Sequence, residues 1–161
     1  PRQNTDVAQK NPTVVNQLRN AYETYWADLP DQSTTLSRHL LGHPDCLDEI
    51  ALNGMDWYRG ASPWNSGAYK RPPNGAWAVT LYEKGSYQFE CRLFPKAANK
   101  PAGASGAEIR IGDHIVKTDL EEEDKKATFE LSLESGDYDL EASFSNDKKR
   151  FGALWVYVKK L

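Results

Sequence analysis

Two periods run through the apolar residues of this chain. In the first part, Val14, Val15, Leu18, Ala21, Tyr22, Tyr25, Trp26 and Leu29 recur at three- and four-residue spacing. That is the signature of an amphipathic helix. Asn11 as N-cap and Pro12 at the first helical position open it, and Pro30 closes it, so the predicted helix is Pro12–Asp28. Its apolar stripe is wide, and aromatic at the far end. Two roles are open to such a stripe: it covers one end of the domain that follows, or it docks on a domain outside this chain.

From residue 36 onward the period falls to two, the mark of half-buried strands. The clearest stretch is residues 76–93, where Trp77, Val79 and Leu81 alternate with Ala78, Thr80 and Tyr82. After Glu83-Lys84-Gly85-Ser86, the alternation resumes with Tyr87, Phe89, Cys91 and Leu93. It reads as a β-hairpin, with Gly85 supplying the positive φ of a short loop. A second hairpin pattern follows: Ala127, Phe129, Leu131 and Leu133, then the turn Glu134-Ser135-Gly136-Asp137, then Tyr138, Leu140, Ala142 and Phe144. Shorter strands are expected at residues 36–41, 47–52, 107–111 and 115–118, the middle pair of turns being Asn53-Gly54 and Gly112-Asp113. Residues 121–126 and 146–150 read as charged turns, and 95–106 as a loop rich in Ala, Gly and Lys. Residues 153–158, ALWVYV, are apolar on both faces, so this strand is central or covered on both sides.

Short strands at turn-separated spacing predict a mainly β fold, an antiparallel β-sandwich of about eight strands with one N-terminal amphipathic helix. The expected division is residues 1–35, helix and linker, and residues 36–161, the sandwich. A length of 161 residues allows one domain with one core plus such an appendage. The net charge of −3 argues against a nucleic-acid partner, and no apolar run approaches a membrane span. The sequence opens with no signal-peptide pattern, and a first residue that is proline rather than methionine leads to the expectation of a chain processed or cut from something longer, with any signal lost along with the missing part. The two cysteines, Cys46 and Cys91, allow one disulfide or two free thiols.

Candidate chemistry is sparse. His39 and His43 have a helical ligand spacing, but Gly42 and Pro44 argue against a helix there, and on a strand the two would lie about 13 Å apart, too far for one metal ion. No nucleophile elbow or phosphate-cradling glycine loop appears, so no catalytic and no metal-ligating residue is assigned. Carboxylates such as Glu90, Glu130, Asp139 and Glu141 fall on the wet faces of strands. The constellation with a chemical reading is the aromatic loop at residues 55–71: Asp56, Trp57, Tyr58, Trp64 and Asn65. Flat rings beside short polar side chains suit a sugar, with its apolar C–H faces and polar rim. The alternative is that both indoles plug the end of the sandwich while Asp56 and Asn65 satisfy loop backbone.

Several short motifs, in their order, resemble the C-terminal part of bacterial arylsulfatases. Asp6-Val7-Ala8, Asn11-Pro12-Thr13-Val14-Val15 and the helix through Tyr25-Trp26 look like the closing segment of that family. Leu40-Leu41-Gly42-His43-Pro44, Met55-Asp56-Trp57-Tyr58, Pro63-Trp64-Asn65-Ser66, Arg110-Ile111-Gly112-Asp113 and the stretch from Gly152 to Val158 continue the likeness. The resemblance implies a parent enzyme of alkaline-phosphatase-like fold, exported, that hydrolyses sulfate esters with a calcium ion and a formylglycine made from C/S-x-P-x-R. That motif is not in this chain: Cys46 precedes Leu47-Asp48-Glu49, and Cys91 precedes Arg92-Leu93-Phe94-Pro95. The expectation is therefore a non-catalytic sulfatase domain, without a cofactor of its own. Its partner would be the catalytic domain of the same polypeptide, whose substrate cleft it would help to shape. The alternative expectation is an autonomous carbohydrate-binding module whose partner is a sulfated or neutral glycan.

Overall fold

The computed structural model describes residues 6–29, 36–60, 73–147 and 149–161. Its contacts divide the chain into two units, Pro1–Leu36 and Ser37–Leu161.

In the first unit α1 spans Pro12–Asp28, as the periodicity predicts, with Pro12 in the first turn where a missing N–H costs nothing. Asn11 holds the N-cap position but does not cap with its side chain. Its amide instead donates to the Val7 carbonyl at 3.0 Å, bracing the 3-10 turn Ala8–Lys10. The chain leaves the helix at Leu29 with φ −75° and ψ 128°, the extended conformation a following proline imposes. No residue of α1 is buried. Val14, Leu18, Tyr22, Tyr25 and Trp26 are all exposed, and Tyr22 and Trp26 stack on one another at 5.8 Å.

The second unit is a β-sandwich. Its strands are β1 His39–Leu41, β2 Glu49–Asn53, β3 Arg59–Gly60, β4 Gly75–Leu81, β5 Gly85–Arg92 and β6 Gly106–Ile111. Then come β7 His114–Asp119, β8 Ala127–Leu133, β9 Gly136–Asn146, β10 Lys149–Gly152 and β11 Trp155–Lys160. Seven of them form a large sheet in the order β1-β4-β9-β6-β7, with β3 beside β4 and β10 beside β9. The other four form a small sheet, β2-β11-β5-β8. Pairing is antiparallel except between β1 and β4, which run parallel. The core lies between the sheets. Trp77 and Val79 of β4, Leu140 and Phe144 of β9 and Ile109 of β6 meet Tyr87 and Phe89 of β5 and Val156 of β11, and all are fully buried. No helix among the described residues is long and apolar enough to cross a membrane.

Both expected hairpins are corrected by this topology. β4 and β5 do not pair: β4 belongs to the large sheet and β5 to the small one. The same holds for β8 and β9. Alternation reveals which side of a strand is buried, not which strand lies beside it. Two strands facing each other across a core show the same pattern as two strands side by side. Gly85 correspondingly does not take the positive φ of a tight hairpin loop; Gly136 has a positive φ, 145°, but at a crossing between sheets.

The two crossings share a latch. In each, a tyrosine hydroxyl donates to the carbonyl of a glutamate four residues back: Tyr87 to Glu83 at 2.6 Å, and Tyr138 to Glu134 at 3.1 Å. The sequences are Glu83-Lys84-Gly85-Ser86-Tyr87 and Glu134-Ser135-Gly136-Asp137-Tyr138, one Glu-x-Gly-x-Tyr pattern used twice. A tyrosine bonding back to upstream backbone at a sheet-to-sheet corner is a known device of sandwich folds. Lys84 and Glu134 tie the two turns together at 2.6 Å.

Gly112-Asp113 makes a true two-residue turn between the paired strands β6 and β7, with Gly112 at φ 54°. Lys149 and Arg150, read as the end of a charged turn, instead open β10, Lys149–Gly152, which pairs with the end of β9. The last strand, β11, is central in the small sheet, between β2 and β5. Cys46 and Cys91 are free thiols, and burial pushes the fully enclosed Cys91 thiol up.

Candidate functional site

Asp56 closes a 3-10 turn, Gly54–Asp56, that follows β2. The turn starts where the Asn53 carboxamide accepts the Met55 N–H at 2.7 Å. Asp56 itself is exposed. Trp57, next in the chain, turns inward. It packs edge-on to Trp77 with ring centroids 5.5 Å apart, and a Cβ built on Gly75 would fall 2.2 Å from its ring. Only glycine lets the β4 backbone come that close. Trp77 satisfies its indole N–H on the Asn53 carbonyl at 2.7 Å, while the buried Nε1 of Trp57 has no hydrogen-bond partner among the described residues. Tyr58 turns the other way and is exposed. Trp64 and Asn65 lie outside the described residues.

Tyr58 leads into a constellation that the sequence did not announce. β9 shows Tyr138, Leu140, Ala142 and Phe144 to the core, so Asp137, Asp139 and Glu141 stand on the outer face of the large sheet. Arg59, on β3, bridges two of them, donating to Asp139 at 3.2 Å and to Glu141 at 2.8 Å. Arg38, just ahead of β1, takes the third, with Nε 3.1 Å from Asp137, and donates as well to the Tyr138 carbonyl at 3.2 Å. Thr80 donates to the other oxygen of Asp137 at 2.6 Å. Arg110 stands across from Glu141 on β6. Desolvation, and after it a hydrogen bond to Asp139, push the Tyr58 phenol above its ordinary value. The Arg59 guanidinium lies 5.5 Å from the centre of the Tyr58 ring. Ala76 and Ala78 pair with Glu141 and Asp139 on β9 and are buried, so the long charged side chains roof over a small-residue floor. Arg38, Arg59, Arg110, Asp113, Asp137, Asp139 and Glu141 border an open cleft of about 540 Å³ on the outer face, and the Tyr58 ring lies beside it against Arg59.

The small sheet carries a different outer surface. Trp155 and Tyr157 alternate outward on β11 and lie nearly parallel, 6.2 Å apart. Lys96 donates its backbone N–H to the Tyr157 hydroxyl at 3.0 Å and sets its ammonium 4.3 Å above the ring. Beside them Glu90 is nearly buried and ringed by Arg92 at 2.6 Å, Lys126 at 3.1 Å and Lys96 at 3.7 Å. Burial pushes the Glu90 carboxyl up, but the hydrogen bonds from Arg92 and Lys126 outweigh it and hold it below the usual carboxylate range. Both Glu90 oxygens are taken by cations of the same chain, and Glu130 accepts from the Gln88 amide at 3.1 Å.

The aromatic loop thus divides. Trp57 joins the core margin, Tyr58 lies beside the cleft against Arg59, and Asp56 faces solvent. What sequence reading missed is the cation set, Arg38, Arg59 and Arg110. The signal was the Asp137, Asp139, Glu141 spacing, three carboxylates on one face of one strand, which calls for cations from neighbouring strands. Among the described residues, no group of three or more His, Cys, Asp or Glu is placed to hold a metal ion.

No protein-family model matches this chain. No curated protein matches it either. Among solved structures, the chain is similar to the crystal structure of a ruminal GH26 endo-beta-1,4-mannanase, at 16% sequence identity and a TM-score of 0.45 over 72% of its own length. It spans about a quarter of that protein, 26%.

Proposed function

We propose that the chain is a non-catalytic sulfatase module whose partner is the catalytic domain of the same polypeptide. The observation that carries this reading is α1, an aromatic amphipathic helix of which no residue is buried. A stripe containing Leu18, Tyr22, Tyr25 and Trp26 is costly to leave in water, at roughly 25 cal/mol per Å² of apolar surface, and a packed neighbour removes that cost. The ordered run of arylsulfatase-like motifs names the neighbour. On this reading the parent enzyme hydrolyses sulfate esters with the formylglycine and calcium of its catalytic domain, is exported, and borrows from this chain a wall of its substrate cleft.

The second reading is an autonomous carbohydrate-binding sandwich. It is favoured by one observation, the open polar cleft beside the exposed Tyr58 ring.

The test is to sequence the reading frame upstream of Pro1. The module reading expects a domain containing C/S-x-P-x-R and an early Asp-Asp pair. A start codon or signal peptide directly before Pro1 would overturn it and leave the binding module in the lead.

A further inference from the structure

We infer that the cleft on the outer face of the large sheet binds a neutral polysaccharide chain through pairs of adjacent hydroxyls. This rests on the carbohydrate-binding reading above and names its site and ligand class. A sugar hydroxyl both donates and accepts, so a vicinal diol is matched best by a donor and an acceptor held side by side. The cleft is built of such pairs: Arg38 with Asp137, and Arg59 with Asp139 and Glu141. The side chains are held by one another yet open to solvent, with Arg59 55% and Asp139 41% exposed. They can therefore take a ligand without first being dug out of the protein, and their mutual bonds fix their geometry in advance.

Charge selects the ligand class. Three arginines, Arg38, Arg59 and Arg110, line the cleft with four carboxylates, Asp113, Asp137, Asp139 and Glu141, and Arg110 is also paired with Glu108. The lining carries one more negative charge than positive, so a polyanion meets net repulsion while a neutral chain meets none. Tyr58 supplies the remaining requirement. Its ring lies against the Arg59 guanidinium, next to Asp139, and is 38% exposed. It offers an apolar face to the C–H side of a pyranose. The cleft is open and polar-lined, about 540 Å³, so a chain can lie along it without entering an enclosed pocket.

The experiment is isothermal titration calorimetry of the whole chain with cellohexaose, mannohexaose, xylohexaose and a chondroitin sulfate hexasaccharide. At least one neutral hexasaccharide is expected to bind, with little dependence on added sodium chloride. Asp139→Asn and Tyr58→Ala are each expected to weaken that binding about tenfold, the effect of one charge-assisted hydrogen bond or one stacking contact. Trp155→Ala, on the opposite sheet, is expected to leave it unchanged. Thermal unfolding of each variant establishes that the fold is retained. Binding of a neutral sugar that ignores Asp139 and Tyr58 would overturn this site while sparing the carbohydrate-binding reading. Binding of the sulfated sugar alone would overturn the ligand class. Binding of none would overturn both.

Discussion

Trp26 on α1 and Trp77 on β4 are the same side chain under opposite conditions, the first 58% exposed and the second fully buried. The contrast extends to their surroundings. Trp77 has its ring against Trp57 and its N–H on the Asn53 carbonyl, while Trp26 has a stacked Tyr22 for company. The sandwich meets its own hydrophobic demand. Its inward residues fill the space between two sheets, and its charged residues pair on the outside. The helix carries an apolar stripe, Leu18, Tyr22, Tyr25 and Trp26, and leaves it unmet within its own unit. An apolar residue in the sandwich therefore holds the fold, and one on α1 is available for a contact beyond its own unit.

Truncation should separate the two most strongly. Trp77→Ala is expected to cost about 3–5 kcal/mol, a large share of a domain's stability. Trp26→Ala is expected to change it by less than about 0.5 kcal/mol. Urea unfolding followed by circular dichroism reads both, and equal losses would break the comparison.

A finer version lies inside the sandwich, at its two crossings. Tyr87 is fully buried and Tyr138 only half-buried. Tyr87→Phe removes the hydrogen bond that the fully buried Tyr87 makes to the Glu83 carbonyl and is expected to cost about 1–2 kcal/mol. At Tyr138→Phe water can replace the hydroxyl, and the expected cost is below about 1 kcal/mol. The reverse order would show that the latch acts some other way than by satisfying buried backbone.

The smallest effect is on the acid side. Glu90 is held below the ordinary carboxylate value by Arg92 and Lys126 against the upward push of burial. A carboxyl depressed in the folded state stabilises fully above its unfolded value, near 4.5. That contribution is lost as pH falls below it through the lower folded value. Glu90→Gln should therefore flatten the loss of sandwich stability below pH 4.5, measured as unfolding midpoint against pH. An unchanged acid limb would remove Glu90 from the account.

Most of the sandwich was legible in the chain because burial alternates along a strand, and Trp77, Val79, Phe89, Leu140 and Phe144 all declare their facing. Which strand pairs with which was not legible, since β4 and β5 would alternate the same way in one sheet or in two. The doubled Glu-x-Gly-x-Tyr pattern was visible in the letters, yet its meaning required seeing two sheets. The cleft was legible only by half. Its carboxylates sit together on β9, but Arg59 reaches them from about 80 residues away along the chain, and no local pattern predicts such a partner. Trp57 and Tyr58, adjacent in sequence and read as one site, point into different surroundings because neighbours in extended backbone face opposite ways.

The most direct measurement is amide hydrogen exchange across α1, Pro12–Asp28, in the isolated chain and in the full polypeptide made from its own reading frame. The module account predicts fast exchange in the isolated chain and strong protection in the longer one, where the helix is seated on the catalytic domain. Equally fast exchange in both, with the sandwich protected in each, would contradict it.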